Sequence, residues 1–141
     1  KKENLPQFID AFEKVVSESI AEDQLTPKIN IDMVIDINDA DDKLYRIIKQ
    51  FAPFGPKNLS PIFVSKGVID SGYGKQVGGD KTHLRINAKR NKGAIAGIGF
   101  GMGEYFEIIK DNQSFDVCYS IDENEWNGKK SLQLRVRDIK K

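Results

Sequence analysis

The dipeptide Asn127-Gly128 restricts this chain more than any other feature. Both residue types tolerate the positive φ that a two-residue type I′ turn demands, and strand-patterned runs lie on either side, so Phe115 to Lys140 reads as a β-hairpin. On the second run Leu132, Leu134 and Val136 alternate with Gln133, Arg135 and Arg137. Successive strand residues point to opposite faces, so one face is apolar and the other carries guanidinium groups. Such a sheet implies a small β-barrel that holds something anionic, with a nucleic-acid strand as a candidate.

The rest of the chain fits that reading. Ile62 to Asp70 reads as a strand that continues, bent, through Tyr73 to Val77. Thr82 to Ala88 and Gly93 to Phe100 read as strands, Glu104 to Lys110 as a short helix, and Ser114 to Glu123 and Lys129 to Ile139 as the hairpin. Strand, strand, strand, helix, strand, strand is the order of an oligonucleotide-binding (OB) barrel. Upstream, Leu5, Phe8, Ile9, Phe12, Val15, Val16 and Ile20 have helical spacing, with Asn4 as N-cap and Pro6 in the first turn. Leu25 to Pro27 is a connector. Ile29, Ile31, Met33 and Ile35 alternate with Asn30, Asp32, Val34 and Asp36, as in a strand. Asn38 or Asp39 then caps a second helix running to about Phe51, which Pro53, Gly55 and Pro56 stop. The expected architecture is mainly β with helices: a five-stranded OB-fold barrel over 61–141, preceded by an N-terminal helix over 1–27 and a strand-helix connector over 28–60 that packs on the barrel.

The chain of 141 residues suits one ordinary core. No apolar run approaches the ~20 residues of a membrane span, and KKENLPQFID lacks the apolar stretch of a signal peptide. A single cysteine, Cys118, excludes an internal disulfide and fits a reducing compartment. The net charge is +1, but residues 1–60 carry 8 basic against 11 acidic side chains and residues 61–141 carry 14 against 10. A local positive excess attracts phosphate, although many solvated domains show the same imbalance.

The candidate contacts lie on the barrel segment. On the second strand His83, Arg85, Asn87 and Lys89 point one way and Leu84, Ile86 and Ala88 the other, with Arg90 and Lys92 in the following turn. Lys75 and Lys81 precede that strand, Lys129 borders the hairpin turn, and Arg135 and Arg137 share a face of the last strand. Guanidinium groups pair with phosphate oxygens and stack on bases. Tyr73, Tyr119 and Trp126 are candidate stacking rings, although Tyr119 alternates with Phe115, Val117 and Ile121 and so also reads as core. The same charges are compatible with a merely solvated sheet face.

Other chemistry is excluded. A GxGxxG loop in the Gly97 to Gly103 run would need glycine at Met102 or Glu104; its glycines suit a bent strand and a close helix instead. In Asp36 to Asp42 a calcium loop would put Ala40 at a ligand position and Asp41 at the required glycine, so helix capping explains these acids better. His83 is the only histidine, and with Cys118 it makes neither a zinc cluster nor a nucleophilic triad. Asp122, Glu123 and Glu125 read as solvated acids or as partners of Lys129 and Lys130. No catalytic residue and no metal ligand is expected within this chain.

FAPFGPKNLSPIF (51–63), HLRI (83–86), GFGMG (99–103) and NEWNGKKSLQLRVRDI (124–139) together resemble the carboxy-terminal part of the RecJ family of bacterial single-stranded-DNA-specific exonucleases. ENLPQFIDAFEKVV (3–16) resembles the segment that ends that family's DHHA1 domain. The resemblance implies that 1–27 is a helical remnant of DHHA1. It implies that 61–141 is an OB domain feeding single-stranded DNA to a DHH phosphoesterase core, which uses manganese or magnesium and cuts from the 5′ end in recombination and repair. The implied partners are single-stranded DNA and the parent's DHH and DHHA1 domains. The implied location is the bacterial cytoplasm, on the nucleoid when DNA is bound. The alternative is a protein-interaction or structural module that buttresses the core or docks a single-strand-binding protein. The sequence has no DHH motif and no Asp/His cluster for two metals, so this fragment is expected to be inactive by itself and to hold no cofactor. AIAGIGFGMG departs from the family pattern by extra glycine-containing residues before FGMG, which places a bulge at the end of the third strand.

Overall fold

The hairpin turns where its dipeptide directs: Asn127 and Gly128 both take positive φ, 50° and 73°. The computed structural model of the chain describes residues 2–141, Glu22 by its backbone alone. It divides into two compact units, Lys1–Asn30 and Ile31–Lys141. The first holds a 3-10 turn (Lys2–Asn4), helix α1 (Leu5–Ser19) and helix α2 (Glu22–Leu25). Helix α1 has Pro6 in its first turn and no buried residue, and Leu5, Phe8, Ile9, Phe12 and Val15 are exposed along it. The Phe8 and Phe12 rings, one turn apart, stack at 5.8 Å.

The second unit contains helix α3 (Asp42–Lys49), helix α4 (Phe106–Ile109) and seven strands: β1 (Met33–Val34), β2 (Phe63–Asp70), β3 (Lys75–Val77), β4 (His83–Lys89), β5 (Ile95–Gly99), β6 (Phe115–Trp126) and β7 (Lys129–Lys140). Their order is β1-β2-β6-β7-β5-β4-β3, and β2 also pairs with β4. Five strands therefore close a ring, β2-β6-β7-β5-β4, in which only β5 and β7 run parallel. A 3-10 turn (Gly103–Tyr105) and α4 lie between the third and fourth ring strands. This is the five-stranded OB barrel with its helix in the expected place. β1 adds to the edge of β2 in parallel, and β3 adds to β4.

Alternation fills the interior. Leu84, Ile86 and Ala88 of β4, Phe115, Val117, Tyr119 and Ile121 of β6, and Leu134 and Val136 of β7 are buried in one cluster with Ile109 of α4. Phe63 and Val68 of β2, Met102, Ile139 of β7, and Ile37, Ala40 and Ile48 from the segment before the barrel complete it. Each large aliphatic side chain so buried contributes about 1.5–3 kcal/mol. The glycine run is part of this packing. A Cβ on Gly97 would stand 2.8 Å from Ile86 Cγ1, and one on Gly103 would stand 2.2 Å from the Lys81 carbonyl oxygen.

Two buried polar groups position loops. The Ser65 hydroxyl donates to the Ile35 carbonyl at 2.9 Å, so the Tyr119 hydroxyl, 2.8 Å away, donates to Ser65. Burial outweighs that hydrogen bond and pushes the Tyr119 phenol up to about 12. The buried Asp70 carboxylate accepts backbone N–H bonds from Gly72, Gly74 and Asn87 at 2.7–2.8 Å, tying the turn that carries Tyr73 to β4.

Several expectations are corrected. The alternation over 29–36 yields only Met33–Val34 as a strand, flanked by single backbone bonds from the Asp32 N–H to the Ile62 carbonyl and from the Ile35 N–H to the Val64 carbonyl; beyond it the Ser65 hydroxyl takes the Ile35 carbonyl and Asp36 turns the chain into a 3-10 turn. Neither Asn38 nor Asp39 caps the second helix. Asp41 does, its Oδ1 accepting from the Leu44 N–H at 2.8 Å, while Asp36 caps a 3-10 turn over Ile37–Asp39. Asn4 makes no side-chain cap bond, because its backbone is already helical at φ −91° and ψ 0°. Ile62 to Val77 does run on, bent, along one edge of β4: Ile69 and Asp70 pair with Lys89 and Ala88, the Ser71 N–H reaches the Asn87 carbonyl, and after the turn that carries Tyr73 the chain resumes as β3 on Arg85, Leu84 and His83. No bulge ends the third strand: β5 stays in register with β4 from Ile95↔Ala88 to Gly99↔Leu84, and the register shifts fall on β2 and within the β6–β7 pair.

Candidate nucleic-acid interface

The outward residues of the ring converge on the wall made by β3, β4, β5 and β7. Lys75 is the register partner of Arg85, Arg85 of Ile98, Ile98 of Arg135, and Arg135 of Ser120. Adjacent strands lie about 4.8 Å apart, so this row of five positions spans about 19 Å. Lys75, Arg85 and Arg135 are exposed, and Ile98 lies partly covered between the two arginines. Among the described residues no carboxylate forms a salt bridge with Lys75, Arg85, Arg135 or Arg137.

Phe100, immediately after β5, is the ring of this wall and is 57% exposed. The Arg135 guanidinium lies 5.4 Å from its centroid, and the His83 imidazole meets it edge-on at 5.3 Å. His83 Nδ1 accepts the Gly101 backbone N–H at 3.1 Å, which fixes the turn that presents Phe100. A half-exposed aromatic face beside cations without salt-bridge partners has the chemistry to stack a base and hold phosphates next to it. The sequence reading missed Phe100. Its signal was an aromatic residue between Gly99 and Gly101, on the outward phase of β5.

The other candidates lie elsewhere. Tyr73 is 74% exposed in the loop joining β2 to β3, and Lys81 is exposed in the turn before β4. Trp126, also 74% exposed, faces Lys129 across the hairpin turn. Lys89 pairs in register with Ile69 where β4 crosses to β2, four residues and about 13 Å along the strand from Arg85. Arg90 contacts the Asp36 carboxylate at 3.3 Å, and Lys92 borders a cleft with Asn38 and Ala40. Tyr119 is fully buried and excluded as a stacking ring. Of the hairpin acids, Glu123 takes a Lys130 contact at 2.8 Å, which holds its carboxyl below the usual range, and Glu125 is 3.9 Å from the same ammonium.

Arg135 also borders a groove of about 330 Å³ between β6–β7 and the α3 side of the unit. Arg137, Lys49, Tyr45, Phe54 and Asp122 line it too. Arg137 Nη2 is 3.5 Å from the Ser120 hydroxyl, and the Lys49 ammonium lies 5.3 Å from the Tyr45 ring. Partial burial, then Glu123 and Asp122, push the Tyr45 phenol up.

Among the described residues no three His, Cys, Asp or Glu side chains are grouped to hold an ion. Burial raises the Cys118 thiol and makes it a poor nucleophile. Among the described residues no helix is long and apolar enough to cross a membrane.

The sequence model of the RecJ OB domain family matches residues 31–138. The single-stranded-DNA-specific exonuclease RecJ of Bacillus subtilis (strain 168) is 24% identical over 139 residues, covering 98% of this chain and 17% of that protein. Crystal structures of RecJ from Thermus thermophilus superpose over the whole chain at 16% identity. The Mn2+ complex gives a TM-score of 0.72 with 20% of its chain covered, and the Mg2+ complex 0.66 with 21%. At that identity the likeness establishes a shared fold. The chain spans about a fifth of the length of these relatives.

Proposed function

The chain belongs to the RecJ OB domain family, and from that membership and the geometry of its β-wall we propose that it is the single-stranded-DNA-binding module of a RecJ-like 5′–3′ exonuclease acting in recombination and repair. The observation that carries this reading is the row Lys75–Arg85–Ile98–Arg135, unneutralised and running beside Phe100. The cations take phosphates, Phe100 takes a base, and Tyr73 and Trp126 extend the platform from the flanking loops, which are the loops OB folds use. Sequence preference is low, because stacking and backbone charge do not read base edges.

Hydrolysis belongs to a DHH core elsewhere in the parent, where divalent manganese or magnesium would be bound. The exposed apolar stripe of α1 supports assigning 1–27 to the end of a DHHA1 domain, which would cover that stripe. The parent would then work in the bacterial cytoplasm, on the nucleoid while DNA is held.

The test is a titration of fluorescent single-stranded oligonucleotides at several salt concentrations, with wild type and Arg85→Ala/Arg135→Ala. The double variant should bind about tenfold or more weakly. Its log K against log salt slope should be shallower by about 1.4, from two lost phosphate contacts at about 0.7 each. An unchanged affinity and slope would remove this wall from the interface.

A further inference from the structure

The groove beside Arg135 opens at the end of the outward row of the wall, and its lining is chemically divided. Lys49, Arg135 and Arg137 supply cations, Phe54 supplies a partly exposed ring, and Asp122 supplies a carboxylate. Arg135 belongs to both places, since it contacts the Phe100 ring on the wall and also lines the groove. The register row Lys75–Arg85–Ile98–Arg135 ends on Ser120, which is itself a groove residue.

We propose that this groove is a one-nucleotide pocket that receives a base of the single strand as it leaves the wall, with Phe54 as the stacking surface and Arg137 and Lys49 as phosphate contacts. The proposal rests on the single-strand reading above and extends it to residues of α3 and the following loop, outside the five barrel strands. The chemistry fixes the orientation. An ionised carboxylate can only accept hydrogen bonds, a phosphodiester has none to give, and the Watson–Crick edge of every base carries at least one N–H donor. The base edge therefore faces Asp122 and the phosphates stay on the cations. The volume agrees: about 330 Å³ is near the lower limit of about 300 Å³ for small-molecule sites, enough for one nucleotide and little more.

The experiment uses the whole chain and oligothymidylates of stepwise increasing length, whose N3–H can serve Asp122. Wild type, Lys49→Glu, Phe54→Ala and Arg85→Ala/Arg135→Ala are titrated side by side. With wild type, affinity should climb until the strand is long enough to enter the groove and then level off. In Lys49→Glu and Phe54→Ala the shortest oligomers should bind as they do to wild type, while the gain from the last nucleotide, about fivefold or more, should be lost. Photocrosslinking wild type with a 5-iodouracil-bearing oligomer should label Phe54 or Tyr45, a readout independent of how any variant folds.

Length dependence unchanged in both groove variants, with no crosslink to either ring, would overturn the pocket. If Arg85→Ala/Arg135→Ala still weakens binding in that case, the wall reading survives alone. If no oligomer binds wild type, the wall reading fails and the pocket falls with it.

Discussion

The inner and outer surfaces of one wall, β4–β5–β7, are built from neighbouring residues under opposite constraints. Inward, Leu84, Ile86 and Leu134 are fully buried, and Gly97 is so crowded that even a methyl group would overlap Ile86. Outward, Arg85 and Arg135 are the very next residues to Leu84 and Leu134, yet they are exposed and carry no counter-charge among the described residues. The two-residue period of a strand thus puts core packing and the proposed single-strand contacts on consecutive positions. Substitutions inside should move the unfolding midpoint and leave DNA affinity alone. Substitutions outside should do the reverse.

The largest expected effect is on the inner side. In Gly103→Ala the new Cβ would sit 2.2 Å from a backbone oxygen of the turn before β4, which cannot rotate away. The cost should be about 3 kcal/mol, at the upper end for overpacking. Gly97→Ala meets the Cγ1 of buried Ile86 at 2.8 Å and the Leu134 Cβ at 3.2 Å, side-chain atoms that can give only by small shifts of the packing, so about 2 kcal/mol is expected. Urea unfolding measures both, and the folded fraction should bind DNA as wild type does. If either variant kept its stability and lost affinity, the separation of the two surfaces would be wrong.

Tyr119 sharpens the inner side by pH. Its phenol is raised to about 12 in the folded chain, against about 10 when unfolded. Between those values the unfolded chain gives up the proton while the folded chain keeps it. Stability from this group is therefore complete below about pH 10 and declines as pH rises toward 12, by on the order of 2 kcal/mol in all. At neutral pH Tyr119→Phe should cost about 1 kcal/mol for the lost bond to Ser65. In the alkaline window the gap between wild type and variant should close and then reverse. A constant gap from neutral to alkaline pH would mean that the hydroxyl reaches water.

Much of this was legible in the sequence, for a local reason. The hairpin, the ring strands and their inward faces follow from alternation and turn chemistry, which neighbouring residues set. The misses lie where distant partners decide. Ile29 to Asp36 alternates like a strand, but only Met33 and Val34 settle into ladder register with β2. Phe100 was hidden because its value comes from Arg135 and His83, on two other strands. The basic residues from Lys89 to Lys92 read as part of the face because nothing local reveals that β4 there turns toward β2 and Asp36.

Arg90 supplies the smallest expected effect and the sharpest control on the outer surface. It lies one residue beyond the same strand as Arg85, but the Asp36 carboxylate stands 3.3 Å from its guanidinium. The Asn38 N–H bond and then Arg90 hold the Asp36 carboxyl below its usual range, so the pair stays ionised and largely self-neutralised through the neutral range. A phosphate would have to displace a neighbour already in place and would gain little in doing so. Arg90→Ala should therefore change oligonucleotide affinity by less than about twofold and leave the salt slope as it was, since no counterion-releasing contact is lost. The decisive comparison is with Arg85→Ala in the same titration. If removing Arg90 costs as much as removing Arg85, the single strand runs lengthwise along β4 toward the barrel closure. Then the row that crosses from Lys75 to Arg135 is not its path.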